Sequence, residues 1–143
     1  MKNKYSKKIK TKKKLYIDVS WINLVHSGGG NQAATNILDC IIKNKKITKY
    51  FDIILLGRTK FFENKTFPKY IKKINLPNIY ILNFIIRWFI LIFLSNKKYK
   101  QIYFCTNIYS PLIKLNFKVI NIFHDNQWKY FPENYSFIKI LWI

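Results

Sequence analysis

A glycine run set between two stretches of different period limits what this chain can fold into more than any other feature. Residues 15–25 are mostly apolar, His26 and Ser27-Gly28-Gly29-Gly30-Asn31 follow, and Ala33, Ala34, Ile37, Leu38, Ile41 and Ile42 then recur at helical spacing. Apolar positions every three or four residues bury one face of a helix, whereas a short continuous apolar run closed by glycine reads as a buried strand. The order is therefore strand, glycine turn, helix. Such a turn brings bare backbone N–H groups to a helix start, where they can hold phosphate or an oxyanion. Neither GxGxxG nor GxxxxGK[ST] is present, so the run also has a plain structural use, letting the helix pack close to the sheet.

The second signal lies in residues 118–123, Lys-Val-Ile-Asn-Ile-Phe, a short apolar strand with His124 and Asp125 at its end. In an open α/β sheet ligands collect beyond the carboxyl ends of the strands, so the glycine run and His124-Asp125 can face one cleft. Strands are expected over residues 14–21, 51–56, 70–76, 101–106 and 118–123. Helices are expected over 31–44 and 78–95, with a helical turn near Pro111 and a last helix after Pro132. Strands alternating with helices imply a parallel sheet with helices on its faces, a Rossmann-like α/β domain. Residues 1–14 precede it as a basic, disordered tail with eight lysines.

Gly28-Gly29-Gly30 after the first strand, taken with Phe123-His124-Asp125 and the downstream Phe131-Pro132-Glu133-Asn134, resembles the N-terminal domain of family 4 glycosyltransferases of the GT-B fold. The resemblance runs from about residue 15 to residue 143. It implies transfer of a sugar from a nucleotide-sugar donor to a hydroxyl acceptor, glycan or lipid-linked, with retention at the anomeric carbon and no bound metal or other cofactor. His124 is then the residue beside the transferred sugar, with Asp125 orienting its imidazole or binding an acceptor hydroxyl. Gly28, Gly29, Gly30 and Asn31 offer backbone donors to substrate, and Trp128 stacks on a sugar face or pins its own loop. Without the resemblance, a histidine after a strand is more often a hydrogen-bonded structural residue, and Asp125 a cap on the following turn.

A complete two-domain GT-B enzyme needs more than twice 143 residues. The reading is accordingly the acceptor-side half, inactive without a donor-binding C-terminal domain that a separate chain can supply. Residues 137–143 look like an apolar helix start cut short.

The formal charge of +20 invites nucleic-acid or anionic-membrane partners. Only two arginines occur, Arg58 and Arg87, against nucleic-acid readout by guanidinium forks. The Ile, Lys and Asn bias is that of an AT-rich coding sequence. A basic module for nucleic acid or an anionic membrane surface stands as the non-enzymatic alternative. No apolar signal segment follows the tail, which points to the cytoplasm, with peripheral attachment at the inner face of the membrane as a variant.

Residues 79–94 fall short of a bilayer span and carry Arg87 near their middle. They read as a buried helix in which Arg87 reaches the domain edge, the alternative being membrane contact through Trp88, Phe89 and Phe93. Cys40 and Cys105 read as reduced core thiols. Six acidic residues in the whole chain leave little from which to build a paired-carboxylate glycosidase or a magnesium cage.

Overall fold

The structure, a computed structural model, describes residues 12–22, 29–95, 101–106, 115–116 and 118–122. Five strands form one parallel sheet in the order β3-β2-β1-β4-β5. They are β1 (Lys13–Asp18), β2 (Phe51–Arg58), β3 (Lys72–Leu76), β4 (Gln101–Cys105) and β5 (Lys118–Asn121). The Rossmann-like α/β architecture expected from the sequence is thus present. β1 opens at Lys13, opposite Phe51, one residue before the expected strand start at Lys14, which lies opposite Asp52.

Side chains alternate across a strand, and the two faces of the sheet carry separate cores. Leu15, Ile17 and Val19 face one way with Ile53 and Leu55, beneath Ala34, Leu38 and Ile42 of helix α1 (Gly29–Lys43) and Phe61 of helix α3 (Thr59–Glu63). Tyr16, Ile54, Leu56, Tyr103 and Cys105 face the other way, beneath Leu91 and Leu94 of helix α4 (Tyr80–Ser95). Burial on both faces explains why the central strands read as continuous apolar runs.

The β1-to-β2 crossover uses α1 on one face. From β3 the chain returns past β2 and β1 to β4 through α4 on the other face, which keeps the same hand for a step in the opposite direction. The direction of travel reverses between β1 and β4. That switch point is where an open α/β sheet leaves a crevice at its carboxyl edge.

Three local features depart from the sequence reading. The first helix stops at Lys43, because Asn44 takes extended angles (φ −78°, ψ 104°) and its Oδ1 accepts from the backbone N–H groups of Lys46 at 2.9 Å and Ile47 at 3.3 Å. Asparagine is a strong N-cap, and it starts helix α2 (Lys45–Tyr50), which the apolar periodicity does not foresee. Helix α3 is likewise unforeseen, five residues long and anchored by Phe61. Cys40, expected in the core, is exposed, whereas Cys105 is buried.

Helix α4 corrects the buried-helix expectation. It buries Asn83, Arg87, Leu91, Leu94 and Ser95 along one stripe and leaves Ile81, Phe89 and Phe93 outward at 71%, 68% and 67% exposure. Among the described residues the helix packs against the sheet and Leu115, so this mostly apolar helix is covered on one side.

Candidate functional site at the carboxyl ends of β1 and β4

Asp18, the last residue of β1, is wholly buried. A carboxylate can be held there only if its oxygens are satisfied, and three donors do so. The backbone N–H of Ser20 donates to Oδ1 at 2.9 Å, Arg87 Nη1 donates to Oδ2 at 2.9 Å, and the Tyr103 hydroxyl donates to the same Oδ2. Arg87 also lies over the Phe84 ring, 5.5 Å from its centroid. The expectation that Arg87 reaches the domain edge is therefore overturned. It points inward, where it partners the buried Asp18, which would otherwise be left as an uncompensated group in the interior.

Charge and burial act together on these groups. Burial lowers the Arg87 pKa, and the Asp18 carboxylate, helped by Tyr103 and Cys105, more than restores it, so the guanidinium ends above its ordinary value. Burial, reinforced by Asp18, holds the Tyr103 hydroxyl well above the usual tyrosine value. The cluster is a charged arginine, a carboxylate and a neutral phenol. With both oxygens engaged and no solvent access, Asp18 serves to fix the strand end.

What it fixes is the turn above. The Ile22 N–H donates to the Val19 carbonyl at 3.1 Å, closing a tight turn over residues 19–22. Trp21 Nε1 donates to Thr106 Oγ1 at 2.8 Å, and that hydroxyl donates to the Asp18 carbonyl at 2.8 Å, bridging β1 and β4 across the switch point. Arg58 Nη2, from the end of β2, donates to the Ile22 carbonyl at 2.8 Å. Strands β1, β2 and β4 thus all hold the segment that leads toward the glycine run.

Gly29 and Gly30 open α1, and Asn31 lies in its first turn, its carbonyl accepting from Thr35 Oγ1 at 2.8 Å. A Cβ added at Gly29 meets nothing within 4 Å, and no described glycine has positive φ. Close packing of the helix therefore does not require glycine at 29. Gly57, by contrast, is required by packing, since a Cβ there stands 2.9 Å from Phe62 Cζ and 3.0 Å from Val19 Cγ2. In a dinucleotide-binding turn the first glycine follows the strand directly. Here residues 19–28 separate the end of β1 from the start of α1, a different construction.

Of the residues expected to act, Gly29, Gly30 and Asn31 stand at this helix start, while Gly28, His124, Asp125 and Trp128 lie outside the described residues. β5, whose end leads to His124, pairs with β4 in parallel, with Cys105 opposite Asn121. The Asp18–Arg87–Tyr103 cluster was not foreseen. Its one sequence signal is a lone acid closing an apolar strand together with a lone arginine in an apolar helix. A surface concavity lined by Lys12, Thr48, Phe51 and Tyr70 lies at the opposite, amino edge of the sheet. Among the described residues no cluster of His, Cys, Asp or Glu suits a metal ion.

These features define a doubly wound α/β domain whose direction of strand addition reverses between β1 and β4. Compared with known protein families, curated proteins and solved structures, the chain finds no match in any of the three.

Proposed function

We propose that this chain is the acceptor-side half of a cytoplasmic, GT-B type glycosyltransferase. It would take a nucleotide-sugar donor and a hydroxyl acceptor, use no metal, and depend on a donor-binding domain for turnover. The observation that carries the reading is Gly29, where neither backbone angle nor packing calls for glycine, at a helix start on the carboxyl side of the sheet. Open backbone donors at such a position suit a diphosphate. The firmly held turn over residues 19–22 supports it, because it gives the approach to α1 a fixed course. In this reading His124 and Asp125 act on the sugar from the end of β5, and Trp128 flanks it.

The test is a titration of the isotope-labelled chain with uridine diphosphate, guanosine diphosphate and their sugar conjugates, followed by amide NMR at moderate salt. Shifts centred on Gly29, Gly30 and Asn31, lost in a Gly29→Val variant of unchanged melting temperature, are expected. Shifts spread over the lysine surface, and abolished by salt, would favour the basic binding module instead.

A further inference from the structure

The outer side of α4 is the largest apolar feature left uncovered by the described residues. Ile81, Ile85, Phe89 and Phe93 follow one another at steps of four and are exposed to 71%, 44%, 68% and 67%. Residues four apart share a helix face, so they form a ridge along the whole helix. Arg87 is the sole charged residue of α4, and it is turned inward onto Asp18. The exposed ridge therefore carries no charge.

Its surroundings are basic. Lys72 is exposed beside α4 on the edge strand, opposite Ile54 and so on the α4 side of the sheet. Lys97, Lys98 and Lys100 follow the helix in sequence, and no acidic residue occurs between Glu63 and Asp125. A contiguous apolar face of this kind marks an interaction surface. A second copy of a chain with formal charge +20 would bring like charge against like. Apolar, aromatic side chains with an exposed lysine beside them, in a stretch of sequence free of acids, match the boundary between acyl chains and anionic headgroups. No described helix is long and apolar enough to cross a membrane, so the contact would lie in the plane of the interface.

The geometry points to α4 as a docking surface for an anionic phospholipid membrane, with the ridge entering the headgroup–acyl boundary and Lys72 meeting the headgroups. The Asp18–Arg87 pair sets the rotation of the helix that presents the ridge. The inference stands apart from the transferase reading, and its test needs no activity.

The full chain is floated with phosphatidylglycerol-rich vesicles and with pure phosphatidylcholine vesicles, at low and high salt. Wild type is expected to bind the anionic vesicles and to retain a salt-resistant fraction. A Phe89→Ser/Phe93→Ser variant with unchanged melting temperature is expected to bind at least ~10-fold more weakly, from the loss of two aromatic insertions. A Phe89→Trp variant gives an independent readout. Fluorescence quenched more strongly than wild type by brominated lipid places position 89 in the bilayer interface. Equal binding by the double serine variant, complete release by salt, or absence of the additional quenching overturns the proposal. So does conversion of a wild-type dimer to monomer by the same substitutions, which would assign the ridge to a second copy.

Discussion

Arg87 Nη1 stands 2.9 Å from Asp18 Oδ2, and through that contact the middle of α4 is fastened to the last residue of β1. Both side chains are almost fully withdrawn from water, at 8% and 0% exposure. An ion pair so placed costs much to desolvate, and removing one partner strands the other.

Arg87→Met alone should therefore destabilise the domain by about 3–5 kcal/mol, leaving a buried carboxylate with two of its three donors. Asp18→Asn with Arg87→Met should cost clearly less than the sum of the single changes. Urea unfolding of the four proteins as a double-mutant cycle measures the difference. Additive losses would mean that the contact contributes no coupling.

Tyr103 sets an alkaline limit. Its folded-state pKa is raised by burial and by Asp18, so below the unfolded value of about 10 both states keep the proton and stability is unaffected. As pH climbs past that value, the unfolded chain releases the proton while the folded one retains it, and stability falls until the raised folded value is passed. Tyr103→Phe should lower the urea midpoint at neutral pH, through loss of the bond to Asp18, yet flatten its decline toward about pH 11. A residual slope is expected from Tyr16, whose hydroxyl is also raised by burial.

The two glycines at the carboxyl edge should respond in opposite ways. Gly57→Ala forces a methyl within 2.9 Å of the Phe62 ring and 3.0 Å of Val19, and overpacking of this sort costs about 1–3 kcal/mol. Gly29→Ala enters open space in a helix and should be neutral or stabilising by up to about 1 kcal/mol. Thermal unfolding of the two variants side by side decides the matter.

Thr106→Val removes the hydroxyl that accepts from Trp21 and donates to the Asp18 carbonyl. The site is fully buried, so a loss of about 1–3 kcal/mol is expected, with Thr106→Ser close to wild type. The Trp21 indole N–H resonance should move upfield and exchange faster with solvent in the valine variant alone.

The strand-and-helix alternation was legible because each element here obeys its own period. Leu15 to Val19 are buried on both faces and read as an apolar run interrupted only by Asp18, while Ala34, Leu38 and Ile42 repeat at helical spacing. Those are local patterns, and the parallel sheet follows from their order. Helices α2 and α3 escaped because they are too short to show a period; α2 rests on the single side chain of Asn44.

What the sequence by itself determined is the class of domain and the place of the glycine run after the first strand, since hydrophobic period and turn chemistry act over neighbouring residues. The partnership of Asp18, Arg87 and Tyr103 was decided only in three dimensions, because it joins residues 69 and 85 positions apart across the sheet and α4. Exposure along α4 was decided there too. A helix apolar on every side does not say which stripe meets the sheet; the buried ion pair does, by turning Arg87 inward and leaving Phe89 and Phe93 outside.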